Sequence, residues 1–360
     1  MTDSDSSKPG RRPRYSGKNP RQFHEKYKEL RPELYTDEAA KVLARGRTPA
    51  GTHRPILVRE IMEVLSPRPG ETAVDCTLGY GGHSQELLAA VQPNGRLIAI
   101  DIDPIELPVT EARLRGLGFP EDSLVVRRTN YAGIAQVLAA EAPAGVDVIL
   151  ADLGLSSMQI DDPGRGFTFK SEGPLDMRMN PRQGKPASER LAEWGIVELA
   201  SLLVENADET QPHEVAGAIL RAQGRAPLTT TQSLAAAVRN AFRGRDLLPG
   251  AAADEAVRRA FQAIRIAVND EFGSLDAFLR VLPSCLRPGG RIAILTFHSG
   301  EDRRVKLAFK RGFENGIYGA VSKTVVRAAA DERRSNPRST SAKLRFASRG
   351  PSSVNLVESS

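Results

Sequence analysis

The chain has 360 residues, 50 Lys/Arg against 44 Asp/Glu, 40% apolar and 26% charged residues. That is the composition of a globular protein with room for one large domain or two moderate ones. Cys76 and Cys285 are its two cysteines, with no C-x-x-C or His/Cys cluster, which argues against a zinc site or disulfide framework and fits a reducing cytoplasm. No apolar run approaches the roughly 20 residues needed to span a bilayer, and the first residues are not signal-like, so no membrane association is expected.

Residues 1–19 are rich in Ser, Lys, Arg, Pro and Gly and are expected to be disordered. Residues 20–46 carry Phe23, Tyr27, Leu30, Leu34 and Leu43 at spacings that allow short helices, interrupted at Pro32. Order is expected from His53-Arg54-Pro55, followed by I-L-V-R-E-I-M-E-V-L at helical spacing. Strands read at 72–76, 96–101, 123–128, 146–151, 291–297 and 342–347, with helices between the early ones. This alternation predicts a doubly wound α/β fold, mostly parallel, with ligands at the strand carboxyl ends. From 181 to 280 the pattern becomes helical throughout, with turns at Gly195, Gly224/Pro227 and Pro249-Gly250, and Thr229, Thr230 or Thr231 as a cap. The organisation expected is a basic arm over 1–50, a discontinuous core over 51–180 and 281–350, an all-helical insertion over 181–280, and a flexible tail over 351–360.

Chemistry concentrates at the expected strand ends. T-A-V-D-C-T-L-G-Y-G-G-H-S leads from Thr72 through a glycine turn, and R-L-I-A-I-D-I-D ends the second strand, placing Asp101 20 residues beyond Gly81. That spacing puts an acid on the ribose hydroxyls of a bound nucleotide. Ser84 stands where a dinucleotide fingerprint starting at Gly79 needs glycine, which disfavours an NAD-dependent oxidoreductase. D-x-x-x-G-x-G-G, with Asp75 on the strand end, looks like the first motif of class I S-adenosylmethionine methyltransferases; the plainer reading is a tight turn in any α/β protein. Asp152 ends the fourth strand, where a carboxylate can hold a methionine amino group or the amine of a substrate base, or simply start a turn. The stretch 163–181 offers Phe167, Phe169, Asp176 and Arg178, suited either to an unstacked base or to a hydrophobic lid with an internal ion pair. Phe297, His298 and Ser299 end the fifth strand. Residues 1–50 carry a surplus of 5 positive charges and 321–350 a surplus of 6, around a mildly acidic body. Of these, N-P-R-S-T-S-A-K-L-R, with Arg338, Lys343 and Arg345, has the mix suited to phosphate contacts.

These segments together resemble the bacterial small-subunit (16S) rRNA cytidine N4-methyltransferase family, older name MraW. The matching stretches are H-R-P-I-L at 53–57, D-C-T-L-G-Y-G-G-H-S at 75–84, I-D-I-D-P at 100–104 and L-A-D-L-G-L-S-S-M-Q-I-D-D at 150–162. They continue with R-G-F-T-F at 165–169, G-P-L-D-M-R-M at 173–179, F-Q-A-I-R-I-A-V-N at 261–269, T-F-H-S-G-E-D-R-R-V-K at 296–306 and N-P-R-S-T-S-A-K-L-R at 336–345. The resemblance implies a Rossmann-like class I methyltransferase sheet with a helical insertion, S-adenosyl-L-methionine as cofactor, and no metal. It implies a cofactor site of Gly81, Gly82, His83, Asp101, Tyr131, Asp152 and Gln159, with Asp152 also the candidate proton acceptor. The substrate implied is the N4 amine of a decoding-centre cytidine of 16S rRNA within the small ribosomal subunit; a homodimer is compatible with the sequence. Phe169, Asp176, Arg178, His298, Ser299, Arg338, Lys343 and Arg345 are the candidates for contacting it. Tyr131 stands where the family usually has phenylalanine, Met158 for proline, Gly300 for leucine, and A-D-E-T-Q-P at 207–212 for a G-E-E-R-like segment. The competing readings are a methyltransferase of another RNA or DNA amine, and a non-catalytic RNA-binding assembly factor.

Overall fold

The apolar runs that alternate with helices fold, in the computed structural model, into one seven-stranded sheet with helices packed on both faces. The structure describes residues 55–242 and 250–351, with side chains at 250 and 251 left aside. The arm over 1–50, its helices at 20–46, the start of order at 53–54 and the tail from 352 lie outside them. The strands are β1 (Thr72–Asp75), β2 (Arg96–Asp101), β3 (Leu124–Arg128), β4 (Val146–Asp152), β5 (Leu286–Thr296), β6 (Tyr318–Val321) and β7 (Lys343–Arg349). Their spatial order is β3-β2-β1-β4-β5-β7-β6. The first five pair in parallel, whereas β7 runs antiparallel to both β5 and β6.

The helices are α1 (Val58–Leu65), α2 (Gly82–Val91), α3 (Glu106–Arg115), α4 (Ile134–Glu141), α5 (Ser157–Asp161), α6 (Ala187–Glu193), α7 (Ile196–Ala207), α8 (Pro212–Arg225), α9 (Thr231–Asn240), α10 (Gly250–Asn269), α11 (Glu271–Cys285), α12 (Ser299–Glu314) and α13 (Ala330–Ser335). Thr230 caps α9 reciprocally with Ser233, satisfying donors the helix cannot satisfy itself. β1 and β4 are almost wholly buried, as expected for strands covered on both faces.

Two expectations shift. β5 starts at Leu286 rather than 291: Leu286 pairs with Val146, and the ladder resumes only at Arg291 with Val148. The intervening Arg-Pro-Gly-Gly departs from the register, Gly289 holding a φ of 77° that favours glycine. The short β6 has no alternating pattern, and the sequence reading missed it. The boundary at 280 also moves. One apolar cluster runs from Leu175 to Ile264 and includes Trp194, Leu203, Ile219 and Val238. Leu275, Phe278, Leu279 and Leu282 of α11 instead pack in the sheet's cluster with Val74, Ile149 and Ile294. The amphipathic period is the same in α10 and α11, so sequence alone could not assign them to different cores.

Phe278 is fully buried in the sheet cluster, so Phe278→Ala should cost about 3–5 kcal/mol. Val197→Ala on the exposed face of α7 should cost under about 0.5 kcal/mol. Chemical denaturation of the two variants measures this, and a Phe278 loss no larger than the Val197 one would return α11 to the periphery.

Candidate active site

The carboxyl ends of β1, β2 and β4 bring five acids to one edge of the sheet. Asp75, at the end of β1, accepts from Ser84 Oγ at 2.6 Å and Thr77 N–H at 3.0 Å. Burial raises its carboxyl above the ordinary value, against those bonds. Thr77 Oγ1 accepts from Asp152 N–H at 2.7 Å, tying the end of β4 to the turn after β1.

The turn between β1 and α2 is shaped by close approach. Gly81 has a φ of 75°, and a Cβ there would lie 2.8 Å from Thr110 Cγ2; one on Gly82 would lie 2.2 Å from Pro55 Cγ. Both positions therefore need glycine for the fold itself. The turn's link to chemistry is Gly79 N–H, which donates to Asp101 Oδ2 at 2.7 Å while Asp103 N–H donates to Oδ1 at 2.9 Å. Each Asp101 oxygen thus holds one backbone donor and keeps a second acceptor position. Burial pushes the Asp101 carboxyl up to about 6 despite those two bonds.

His83, in the first turn of α2, is buried, and its Nε2 stands 3.5 Å from Asp152 Oδ2. Burial works against its protonation, but Asp152 and Asp75 together raise its pKa above the ordinary histidine value. Neither His83 Nε2 nor the buried Asp152 Oδ1 makes a hydrogen bond among the described residues. A buried acceptor and a buried ring nitrogen left over side by side are what the amino-acid end of the expected cofactor would satisfy. The donor set fits that group. Tyr131, just after β3, sets its ring edge-on to Phe278 at 5.4 Å, and its hydroxyl reaches the Glu271 carbonyl at 3.4 Å, a contact phenylalanine could not make.

Gln159 is engaged inside the protein. Its Oε1 accepts from Ser156 N–H at 3.0 Å and its Nε2 donates to Asp103 Oδ2 at 2.7 Å. Arg165 donates to the same Asp103 oxygen at 2.7 Å, the two side chains 8% and 1% exposed. Ser156 Oγ lies 2.8 Å from Glu106 Oε2. Burial and the charge of Asp103 push the Glu106 carboxyl up to about 8. Asp103, Glu106 and Arg165 had no role in the sequence reading, although Asp103 and Arg165 fall inside its motifs.

The loop 163–181 is held by its neighbours. Arg178 binds Asp176 in two-pronged fashion, Nε to Oδ1 at 2.8 Å and Nη2 to Oδ2 at 2.6 Å, and donates to Gly184 O at 2.9 Å. This is the internal pair of the lid reading. Asn269 of α10 accepts from Met179 N–H and donates to Met177 O, both at 2.7 Å. Two residues beyond Asp270, Phe272 packs its ring 5.6 Å from that of His298. The joint between α10 and α11 therefore touches both the loop and the end of β5. His298 caps α12, while Glu301 reaches back to Phe297 N–H at 2.9 Å. Burial opposes Glu301 ionisation, but His298, Phe297 N–H and Arg265 hold its carboxyl below the ordinary value. Ligand atoms of Glu271, His298 and Glu301 lie within 4.8 Å of one another, close enough to hold a cation. Arg265 already grips Glu271 at 2.7 and 2.8 Å and supplies positive charge there. Gly300 leaves the space that Phe272 fills, since a Cβ would lie 2.5 Å from Phe272 Cζ.

Four substrate candidates are corrected. Phe169 packs against the helical core and meets Phe261 edge-on at 5.2 Å, so it is not a free stacking face. Arg345 is buried and bonded to Asp302 at 2.6 Å, and Lys343 stands 3.6 Å from the same carboxylate. Arg338 pairs with Asp161 at 3.0 Å. The basic block is thus neutralised by acids distant in sequence, which no local charge count reveals. Ser299 remains at the rim, donating to Asp208 Oδ2 at 2.7 Å. Asp208 and Glu209 belong to the divergent 207–212 segment, and Glu209 is buried against Arg259 at 2.8 Å.

The sequence profile of the MraW methylase family matches residues 50–350. A protein of Alkaliphilus metalliredigens (strain QYMF) named ribosomal RNA small subunit methyltransferase H 2 is 46% identical over 350 residues, 96% of this chain and 99% of that one. One of Lachnoclostridium phytofermentans named ribosomal RNA small subunit methyltransferase H 1 is 46% identical over 342 residues, 94% of this chain and 92% of that one. Ribosomal RNA small subunit methyltransferase H of Acidobacterium capsulatum is 38% identical over 302 residues, 82% of this chain and 97% of that one. With an acid at the end of each of β1, β2 and β4 around a glycine turn, the chain belongs to the MraW methylase family, and S-adenosyl-L-methionine is its cofactor.

Proposed function

We propose that this protein methylates the exocyclic N4 amine of a decoding-centre cytidine in 16S rRNA, acting on the small ribosomal subunit. The observation that carries the reading is Asp152: a strand-end carboxylate with one oxygen toward His83 and the other buried without a partner among the described residues. The names of the relatives support a small-subunit rRNA substrate, and the resemblance in G-P-L-D-M-R-M and F-H-S-G-E-D supports cytidine N4.

Bound S-adenosyl-L-methionine supplies a methyl carbon already activated by its sulfonium, so the protein's work is alignment and proton removal. Asp101 holds the ribose hydroxyls with the second acceptor position of each oxygen. His83 and Asp152 orient the amino-acid end, Tyr131 lends its ring to the nucleoside, and Gly81 and Gly82 shape the turn. Gln159 acts through Asp103, which it fixes. The lone pair of cytosine N4 is delocalised into the ring; an acceptor against N4–H localises it and receives the departing proton. A lone pair of the Asp152 carboxylate beyond those that hold the amino-acid end is that acceptor. The base must be unstacked to reach the methyl group, and Asp176–Arg178 and His298 frame the opening, joined through the 269–272 segment.

Purified small subunits from cells lacking the enzyme, incubated with protein and labelled cofactor, should yield N4-methylated cytidine on nuclease digestion and nucleoside mass spectrometry. Label in any other nucleoside would replace the cytidine reading with another amine, and none at all would leave a non-catalytic RNA binder. The Asp101 carboxyl, raised to about 6, must be ionised to accept two hydroxyls. Cofactor affinity should therefore hold above pH 6 and fall as pH drops below it, by up to about tenfold per unit. Asp101→Ala should weaken binding by roughly 1.5–3 kcal/mol and remove this pH dependence; calorimetry between pH 5 and 8 reads both. For the lid, Asp176→Ala, Arg178→Ala and the double variant should have nearly equal unfolding midpoints and single-turnover rates, since each single already breaks the pair. Additive losses would mean that the two side chains act separately.

A further inference from the structure

Two of the three acids of α12 are spent inside the protein. Glu301 is buried at the foot of the helix, and Asp302 faces Arg345 and Lys343. The bases Arg303, Lys306 and Lys310 are exposed. With Ser299 they fall at intervals of four, three and four residues, a spacing that puts all four on one stripe of a helix. Rising about 1.5 Å per residue, the helix spaces these charges about 4.5–6 Å apart. Their acidic neighbours neutralise them weakly. Arg303 stands 3.8 Å from Asp208 and Lys310 3.6 Å from Glu314, every one of these side chains more than half exposed. Such pairs contribute little and are displaced by a stronger anion. Lys306 has no ion pair among the described residues.

The stripe starts at the active-site rim. Asp152 and Leu295 are partners in the β4–β5 ladder, and α12 begins four residues after Leu295 with its positive dipole end on that side. The C-terminal basic block, by contrast, is tied up internally.

We infer that Ser299, Arg303, Lys306 and Lys310 of α12 form a track for the phosphate backbone of the substrate RNA, leading it to the methyl-transfer edge. A row of cations on a rigid helix neutralises successive phosphates and fixes register without reading sequence. The inference rests on the proposed RNA substrate but reads out separately from it, because binding and methyl transfer are measured independently.

The test compares wild type with the triple variant Arg303→Gln/Lys306→Gln/Lys310→Gln in equilibrium binding to purified small ribosomal subunits between 50 and 300 mM salt. Losing three phosphate contacts should lower the slope of log affinity against log salt by about 2–2.7 and raise KM at least tenfold. Cofactor affinity by calorimetry and the unfolding midpoint should stay as in wild type. The charge-keeping variant Arg303→Lys/Lys306→Arg/Lys310→Arg should restore the slope. Arg59→Gln/Arg334→Gln, two exposed cations beside acids elsewhere on the chain, should not move it. An unchanged slope in the triple variant overturns the track, as does salt-independent binding by wild type. Methylation of the wrong nucleoside, with the slope change intact, overturns the cytidine reading and leaves the track standing.

Discussion

The buried contact between Asp103 and Arg165 is the one on which the candidate site depends. Asp103 lies just beyond β2, Arg165 in the turn after α5, and between them runs the whole passage from the nucleotide edge to the loop over it. The same guanidinium donates to Arg178 O at 3.2 Å and Met179 O at 2.8 Å, so one side chain holds an acid of the strand edge and the backbone of the 163–181 loop. Gln159 binds the same carboxylate from a third side. Breaking a buried pair leaves a charge in low dielectric, a loss that typically reaches 3–5 kcal/mol. The pair therefore converts the position of β2 into the position of the loop.

A second joint does the same from the helical side. Arg265, Asn269, Glu271 and Phe272 lie within eight residues at the α10–α11 turn, where Asp270 adopts a φ of 46°. They reach Met177 and Met179 of the loop, the hydroxyl of Tyr131 and the ring of His298. Elements far apart in sequence thus share one rigid support, and the helical cluster meets one of the two sheet clusters at the turn between α10 and α11. Gly300 belongs to this arrangement: the leucine usual in the resembling family would collide with Phe272.

The parallel strands, the glycine turn and the strand-end acids were legible in the sequence because each is local. Alternating apolar runs mark buried strands, and an acid at a run's end marks a carboxyl edge. What was not legible depends on contacts between distant residues. Arg345, Lys343 and Arg338 read as a phosphate patch because the sequence does not show Asp302 and Asp161 facing them. Phe169 looked like a stacking ring because its partner Phe261 lies 92 positions away. Asp103, Glu106 and Arg165 stayed unassigned for the same reason: their partners come from three different elements. The stripe on α12 was present in D-R-R-V-K-L-A-F-K, but only burial tells which of its charges are spent on the fold.

The charge at the edge of the sheet also suits the chemistry proposed for it. Asp75, Asp101, Asp103, Glu106 and Asp152 gather there with Arg165 and His83, and the crowding of acids adds to burial in raising Asp101 to about 6 and Glu106 to about 8. Bound S-adenosyl-L-methionine would bring a positive sulfonium to this edge, and an amine that took its methyl group would have a proton to lose. A negative edge attracts the cationic donor first. The proton would pass to Asp152, the acceptor proposed at this edge. Burial thus sets which acids are charged at neutral pH: Asp101, raised to about 6, is ionised and able to hold the ribose, while Glu106, raised to about 8, keeps its proton.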